Sequence, residues 1–167
     1  TVTSANMITL NGGSGIIIDR CWIEGITDRQ SRGVSIQTGK VGVIHSYISN
    51  IIHTDTLGGD TQAILSINSP GPILVDNNYL EATGENLMFG GGQPSNAANI
   101  PQDATITRNH FKKQTSWQGG NFFQKNVLEL KLGLRVLVER NIFENNPADN
   151  QPGWIFLMTP RNENGTA

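Results

Sequence analysis

The sequence predicts an all-β fold, a parallel β-helix of about five coils, and three observations support this prediction. A short pattern of apolar residues recurs five times, at steps of 25, 32, 31 and 32 residues. Within each copy, apolar residues alternate with others, as they do along a strand whose side chains point to opposite faces. No segment has the periodicity of a helix. Strands that return at this period without helices must stack in parallel, one repeat upon the next.

The five copies of the pattern predict the second and third strands of each repeat. They occupy 16–23, 41–48, 73–80, 104–111 and 136–143. A first strand is predicted before each copy, with one more near the end of the chain, and these six strands lie at 8–10, 34–36, 65–67, 87–89, 128–130 and 155–159. Short turns, most of them with glycine, join the first and second strands. The fourth repeat has an insertion at 90–103 in place of that turn.

One position of the pattern holds small or polar residues, namely Cys21, Ser46, Asn78, Asn109 and Asn141. We expect this position at the tight bend between the second and third strands, with its side chain pointing inward. An asparagine amide can bond the repeats above and below and satisfy the backbone of the bend. An unpaired buried amide costs about 1–3 kcal/mol, so this ladder is stable only when its members are stacked. The smaller Cys21 and Ser46 weaken one end of it.

The next position is aromatic in four copies, at Trp22, Tyr47, Tyr79 and His110. Because consecutive residues of a strand point to opposite faces, we expect this column on the outside of the stack. The column indicates ring stacking between neighbouring repeats. The alternative is a surface on which sugar rings stack. Since the column lies on the face away from the long loops, ring stacking is favoured.

Composition bounds the class of protein. A chain of 167 residues predicts one domain, 1–167, with a substantial core. The formal net charge of −2 gives no footprint for nucleic acid. No run of about eighteen apolar residues occurs, so membrane insertion is not expected. Cys21 is the only cysteine, which excludes an internal disulfide and argues against a structural zinc site.

Several segments go beyond a generic repeat. They are DTQAI at 60–64, NNYLE at 77–81, GENLMFGG at 84–91, RNHF at 108–111, NVLELK at 126–131 and TPRN at 159–162. Together they resemble a group of bacterial right-handed parallel β-helix proteins of the pectate-lyase-like superfamily. The resemblance covers about 60–162 well and 1–59 only through the repeat pattern. It implies a right-handed β-helix and a chain that is a central fragment of a longer one. The acidic calcium cluster and proton-abstracting base of pectate lyases proper have no match here residue by residue, so no catalytic residue is carried over.

Stacking also predicts a groove. The outward residues of the first strands form one row, which we expect at Thr9, Asn11, Ser35, Gln37, Ser66, Asn68, Glu129, Lys131, Thr159 and Arg161. Long loops follow the third strands along one edge of this row, and the insertion at 90–103 stands opposite, which makes a groove. Gln37, Asn68 and Arg161 are candidates to hydrogen-bond sugar hydroxyls. The alternative is an ordinary solvated face.

Candidate catalytic residues are Glu129, Lys131, Glu85 and Asp60, which we expect to face this groove. Paired carboxylates could act as acid and base on a glycosidic bond, or bind calcium through oxygen ligands. Lys131 or Arg161 could supply the base of a β-elimination or stabilise an acidic sugar. The alternative is structural, with a salt bridge between Glu129 and Lys131 and Glu85 as a cap.

Trp117 stands in a polar, glycine-rich loop beside the groove. If its ring is exposed, it is a platform for a sugar. If it is buried, it clamps the loop on the stack. The sequence leaves these two interpretations open.

The functional expectation is a polysaccharide-interacting protein, extracellular or on the cell surface; the sequence leaves open whether it also cleaves an acidic polysaccharide by β-elimination or hydrolysis. The alternative is a non-catalytic module, either carbohydrate-binding, adhesin-like or structural. No cofactor is firmly implied, and calcium is an open possibility. The expected partner is a polysaccharide. Self-association through exposed end coils is a further expectation, because bare strand edges pair with other strands.

Overall fold

The computed structural model describes residues 5–26, 30–54 and 59–160, which form sixteen strands and two single-turn 3₁₀ helices. The strands are β1 (Ala5–Asn11), β2 (Ile16–Asp19), β3 (Trp22–Glu24), β4 (Gln30–Gln37), β5 (Val41–Ile44), β6 (Tyr47–Ile51), β7 (Gln62–Ser66), β8 (Ile73–Asp76), β9 (Tyr79–Ala82), β10 (Glu85–Phe89), β11 (Gln102–Thr107), β12 (His110–Lys112), β13 (Leu128–Leu130), β14 (Leu134–Glu139), β15 (Ile142–Glu144) and β16 (Phe156–Met158). The 3₁₀ helices are Ala97–Asn99 and Thr115–Trp117. Within these ranges, no helix has the length and apolar character needed to cross a membrane.

The strands are shared among three sheets in strict rotation. Sheet 1 has the order β1-β4-β7-β10-β13-β16, sheet 2 the order β14-β11-β8-β5-β2, and sheet 3 the order β15-β12-β9-β6-β3. All neighbouring strands are parallel, and three consecutive strands make one repeat. The five copies of the sequence pattern align residue for residue, so that Ile16, Val41, Ile73, Ala104 and Val136 form one column. The all-β class and the parallel stacking are therefore confirmed, and this arrangement is compatible with a parallel β-helix.

The core lies between the three sheets. Each repeat contributes inward apolar residues from every sheet, and burying one such side chain contributes about 1.5–3 kcal/mol. Fully buried members include Val34, Ile64, Leu87, Leu128, Val43, Val75, Ile106, Ile48, Leu80 and Phe111. Exposed apolar side chains are frequent in the first and last repeats, among them Ile17, Trp22, Ile142, Ile155 and Met158. Self-association through the ends stays a prediction.

The predicted ladder is present. The side-chain amide of Asn78 donates to Oδ1 of Asn109 at 2.9 Å, and that of Asn109 donates to Oδ1 of Asn141 at 3.0 Å. Each of these amides also donates to a backbone carbonyl of the repeat before it. At the weaker end, the hydroxyl of Ser46 accepts from the backbone N–H of Cys21 at 3.1 Å. The ladder therefore satisfies the buried polar groups of successive bends.

The residue before each ladder position has a left-handed backbone. These residues are Arg20, His45, Asn77, Arg108 and Arg140, with φ between 50° and 55°. Such a conformation costs about 1–2 kcal/mol for a residue with a Cβ. It turns the chain sharply between sheets 2 and 3 and directs the next side chain inward. The sequence pattern does not predict this feature at Arg20, Arg108 and Arg140, because arginine is not typical of left-handed positions, whereas asparagine and histidine are more common there.

In the third repeat, the observed register of the first strand, β7, differs by one residue from the predicted register. Ser66 pairs with Ile36 and Phe89 and is fully buried, whereas we expected it in the outward row. The strand begins earlier than predicted, so that Ile64 rather than Leu65 lies beside Val34. Because side chains alternate along a strand, this slip of one residue moves every side chain of β7 to the other face.

Candidate functional site

The outward row of sheet 1 is covered at its centre. Ser35, Leu65, Met88 and Glu129 are register neighbours on β4, β7, β10 and β13. None of these four is more than 3% exposed. Two of them are apolar, which explains why this row is covered rather than solvated. The predicted open, polar groove over sheet 1 is therefore not found at this column.

Gln37 and Asn68 lie together, away from the candidate catalytic residues. Both line a pocket of about 310 Å³ at the turns between sheets 1 and 2. Oδ1 of Asn68 accepts from the backbone N–H of Ser95 at 2.9 Å and from its hydroxyl at 3.1 Å. Gln37 donates to the hydroxyl of Ser35 at 3.1 Å. Asn68 thus fastens the insertion of the fourth repeat. Arg161, the third predicted sugar-binding residue of this row, lies outside the described residues.

Trp117 is a clamp rather than a platform. Its side chain is 6% exposed and packs on Phe122, with ring centroids 5.9 Å apart. The residue ends the second 3₁₀ helix and so fixes the long loop between β12 and β13. Of the two arrangements that the sequence allows, the structure has the buried one, which corrects the expectation of a sugar-binding Trp117.

Asp60 and Glu85 are brought together by a residue that sequence reasoning missed. Nζ of Lys125 lies 2.7 Å from Oδ1 of Asp60 and 3.4 Å from Oε1 of Glu85. The other oxygen of Glu85 accepts from the side-chain amide of Gln62 at 2.7 Å. Lys125 also lies over the ring of Phe123, 5.4 Å from its centroid. Its position in a loop just before β13, a first strand of a repeat, was the one available signal that it would reach this corner.

The charges of this cluster are strongly coupled. Burial raises the pKa of Glu85 to about 7, and the charge of Asp60 adds to this, although Lys125 opposes both. Burial also opposes ionisation of Asp60, but Lys125 outweighs it and lowers the pKa of Asp60. Burial opposes the charge of Lys125, but Glu85 and Asp60 outweigh it and raise its pKa. The pKa of Glu85 is therefore raised while that of Asp60 is lowered.

Glu129 and Lys131 form a separate ion pair, with Nζ of Lys131 3.6 Å from Oε1 of Glu129. The same carboxylate accepts from the amide of Asn126 at 3.1 Å and from the hydroxyl of Thr159 at 3.1 Å. Glu129 is 3% exposed. Both of its oxygens thus have partners within the chain, which matches the structural alternative considered for this pair.

A second lysine, Lys113, directly follows β12; it is fully buried, and its side chain reaches the turn between β9 and β10. Its ammonium donates to the carbonyls of Ala82 at 3.0 Å and Thr83 at 2.9 Å, and also to that of Gly84. Burial lowers the pKa of Lys113 to about 7, against the opposing charge of Glu85. Lys113 therefore caps this turn by donating to three of its backbone carbonyls.

A calcium site at these carboxylates has no structural support. Among the described residues, no three or more His, Cys, Asp or Glu side chains are grouped so that they could hold a metal ion. Between Asp60 and Glu85, the ammonium of Lys125 occupies the position that a cation would need. Hard cations such as calcium require several oxygen ligands around one point.

The aromatic column on sheet 3 borders an open groove of about 730 Å³. The rings of Tyr47 and Tyr79 are stacked, 4.3 Å apart and 5° from parallel. Trp22 meets Tyr47 edge-on at 6.0 Å, and His110 meets Tyr79 in the same way at 5.3 Å. Ring stacking between repeats is thus observed. Trp22 nevertheless remains 75% exposed, because it heads the column on the edge strand of sheet 3.

Polar side chains flank these rings, and we call the whole surface the Trp22 groove. It comprises Trp22, Tyr47 and Tyr79, with Arg20 and His45 on one flank and Glu24, Asn50, Glu81 and Gln114 on the other. Glu24 accepts from the amide of Asn50 at 2.8 Å. Glu81 accepts from the backbone N–H of Asn50 at 3.1 Å and from the Tyr79 hydroxyl at 2.6 Å. The sequence indicates the aromatic column but not this groove, because the polar residues that flank the rings share no position with the column in the repeat pattern.

Comparison of the chain with protein-family models, with curated proteins and with solved structures found no match.

Proposed function

We propose that the chain is a right-handed parallel β-helix of the pectate-lyase-like kind, and that it binds a polysaccharide in the Trp22 groove. Three features support the fold: the strict rotation of strands among three sheets, the alignment of the repeats and the asparagine ladder. Because a polysaccharide is the ligand, we further propose an extracellular or cell-surface location.

The observation that carries the proposal is the exposed ring of Trp22. The two stacked tyrosines each cover one face of the other, so they offer a ligand less ring surface than Trp22 does. Among the described residues, no ring stacks on the outer side of Trp22, which offers a large apolar surface beside polar groups. Binding sites combine an apolar surface with a few polar groups that fix orientation, and a sugar ring with its hydroxyls matches this combination.

Affinity electrophoresis in gels that contain soluble polysaccharides tests the proposal. We expect one class of polymer to retard the protein and Trp22→Ala to weaken that binding about tenfold or more, since tryptophans dominate binding energies. Trp154→Ala is the matched control, because Trp154 is 53% exposed and does not line the groove. Equal retardation of the Trp22→Ala variant and the parent would refute the assignment of the groove.

A second candidate function is hydrolysis of the polysaccharide at Asp60 and Glu85. The opposite pKa shifts of these two carboxyl groups favour it, since one group must hold a proton while the other is ionised. Elimination is less favoured here, because the raised pKa of Lys125 keeps this lysine protonated and unfit as a base. Binding ranks above hydrolysis because Glu85 is fully buried and already has partners.

Release of reducing ends from a polymer that binds would test hydrolysis. We expect parent activity to be lost in Asp60→Asn, while Asp103→Asn retains it, because Asp103 is a surface residue that pairs with Arg135, outside the cluster. Binding without release of reducing ends would leave the protein a non-catalytic module.

A further inference from the structure

We infer that the Trp22 groove takes a neutral polysaccharide and rejects acidic ones. The inference rests on the binding function proposed above and adds the class of ligand. It follows from the charges that line the groove, which are mostly negative once the internal ion pairs are taken into account.

The positive charge of the groove is paired with a carboxylate of the chain itself. Among the described residues that line it, Arg20 is the only arginine or lysine. A nitrogen of its guanidinium lies 2.5 Å from Oδ2 of Asp19, and Nδ1 of His45 lies 3.0 Å from the other oxygen of the same carboxylate. Recognition of a sugar carboxylate depends on arginine donors that can pair with both of its oxygens. In this groove, the carboxylate of Asp19 already pairs with the guanidinium of Arg20 that a sugar carboxylate would need.

The negative charges of the groove have no such balance within it. Glu24 is partly exposed on the flank beside Trp22, and it accepts a hydrogen bond from a neutral amide, that of Asn50. Glu81 lies below, 2% exposed, with its oxygens held by the backbone N–H of Asn50, the Tyr79 hydroxyl and the Gln114 amide. A negative charge held in a buried place acts strongly on its surroundings, because little water screens it. A uronate carboxylate that entered would be repelled by both.

Neutral sugar hydroxyls suit the same groups. A carboxylate accepts about four hydrogen bonds, so the bond from Asn50 leaves Glu24 with acceptor capacity for hydroxyl donors. The exposed ring of Trp22 lies two residues away on β3 and can carry the apolar face of a sugar ring. The groove thus offers acceptors and an apolar face, but no free cation, and this combination distinguishes a neutral chain from an acidic one.

The test is affinity electrophoresis with neutral polymers (hydroxyethyl cellulose, glucomannan and arabinoxylan) and acidic polymers (polygalacturonate and alginate), at low and at moderate salt. We expect retardation by at least one neutral polymer, about tenfold weaker in Trp22→Ala, and none by the acidic polymers. Glu24→Lys supplies a free cation on the flank. We expect it to create retardation by polygalacturonate that salt abolishes, since exposed charges are screened by salt.

The outcomes separate the two proposals. Retardation of the parent by an acidic polymer, lost in Trp22→Ala, would overturn the neutral class while the binding function stands. Absence of retardation by all five polymers would contradict both. If Glu24→Lys gained no affinity for polygalacturonate, the electrostatic explanation would be wrong, because the added charge lies on the same flank.

Discussion

The hydroxyl of Tyr79 donates a hydrogen bond of 2.6 Å to the carboxylate of Glu81, two residues further along β9. Burial and the neighbouring carboxylate together raise the pKa of Tyr79 above its usual value, so the phenol stays a donor. This bond joins the aromatic column to the negative flank of the Trp22 groove. It also satisfies one oxygen of a carboxylate that is almost fully buried.

Removing that hydroxyl is expected to destabilise the protein. In Tyr79→Phe, Glu81 keeps the N–H of Asn50 and the Gln114 amide but loses its phenol donor. A hydrogen bond to a charged group contributes about 1.5–3 kcal/mol, and we expect a loss in that range in urea denaturation. Tyr47→Phe is the control, with an expected loss below about 0.5 kcal/mol because Tyr47 is 43% exposed. Equal effects in the two variants would contradict this prediction.

The ladder is expected to depend on an oxygen at its centre. Asn109→Ala leaves the backbone N–H of Asn78 and the amide of Asn78 without their acceptor in a buried place. Each unsatisfied group costs about 1–3 kcal/mol, so we expect a loss of about 2 kcal/mol or more in the free energy of unfolding. Asn109→Ser is expected to lose clearly less, because Ser46 shows that a hydroxyl can accept the same bond. If serine and alanine were equally destabilising, the ladder would not act through this acceptor.

The buried carboxyl of Glu85 is expected to make stability fall as pH rises. Its pKa in the folded protein is about 7, above its ordinary value of 4.5, so the folded state holds a proton that the unfolded state has lost. The stabilisation by this bound proton is therefore fully present below about pH 4.5 and is lost as the pH rises to about 7. The difference in unfolding free energy between the parent and Glu85→Gln, measured across this window, should shrink on the acid side. A difference independent of pH would refute the shift.

Lys113 is expected to have the complementary effect at alkaline pH. Its pKa in the folded protein is lowered to about 7 from 10.5, so the unfolded state binds the proton more tightly. Stability contributed by this group therefore rises between about pH 7 and 10.5. Comparison of the parent with Lys113→Met over that interval isolates the effect. If the difference in unfolding free energy did not change with pH, Lys113 would stay protonated on its three carbonyls over this interval.

Trp117→Ala is expected to destabilise the protein without affecting polysaccharide binding. Truncation of a buried tryptophan costs about 3–5 kcal/mol, and here the loss falls on the loop before β13. Limited proteolysis should cut this loop faster, while electrophoretic retardation stays at the parent value. Trp22→Ala is expected to behave in the opposite way, because its ring is exposed. Loss of binding in Trp117→Ala with an intact loop would contradict this division of roles.

The sequence predicts the repeat and its ladder well, because Asn78, Asn109 and Asn141 recur at nearly constant spacing and equal spacing means equal position in a stack. It fails for Leu65, because the turn between β7 and β8 is longer than the turns after β1, β4 and β13 and does not fix the register, and alternation turns a slip of one residue into a change of face. Lys125 lies in an irregular loop, where no periodicity indicates a partner. The Trp22 groove could not be predicted in this way. Trp22 is exposed because β3 lies at the edge of sheet 3, and this exposure depends on the position of the residue in the stack rather than on its type.

The residue-for-residue alignment of the repeats also has a consequence for engineering. The third repeat is joined to both of its neighbours by the same kind of bond. Oδ1 of Asn78 accepts from the backbone N–H of Ser46 in the repeat before, and Oδ1 of Asn109 accepts from the backbone N–H of Asn78. A second copy of the third repeat, inserted next to the first, would therefore find compatible neighbours above and below. The protein is thus suited to lengthening by insertion of whole repeats.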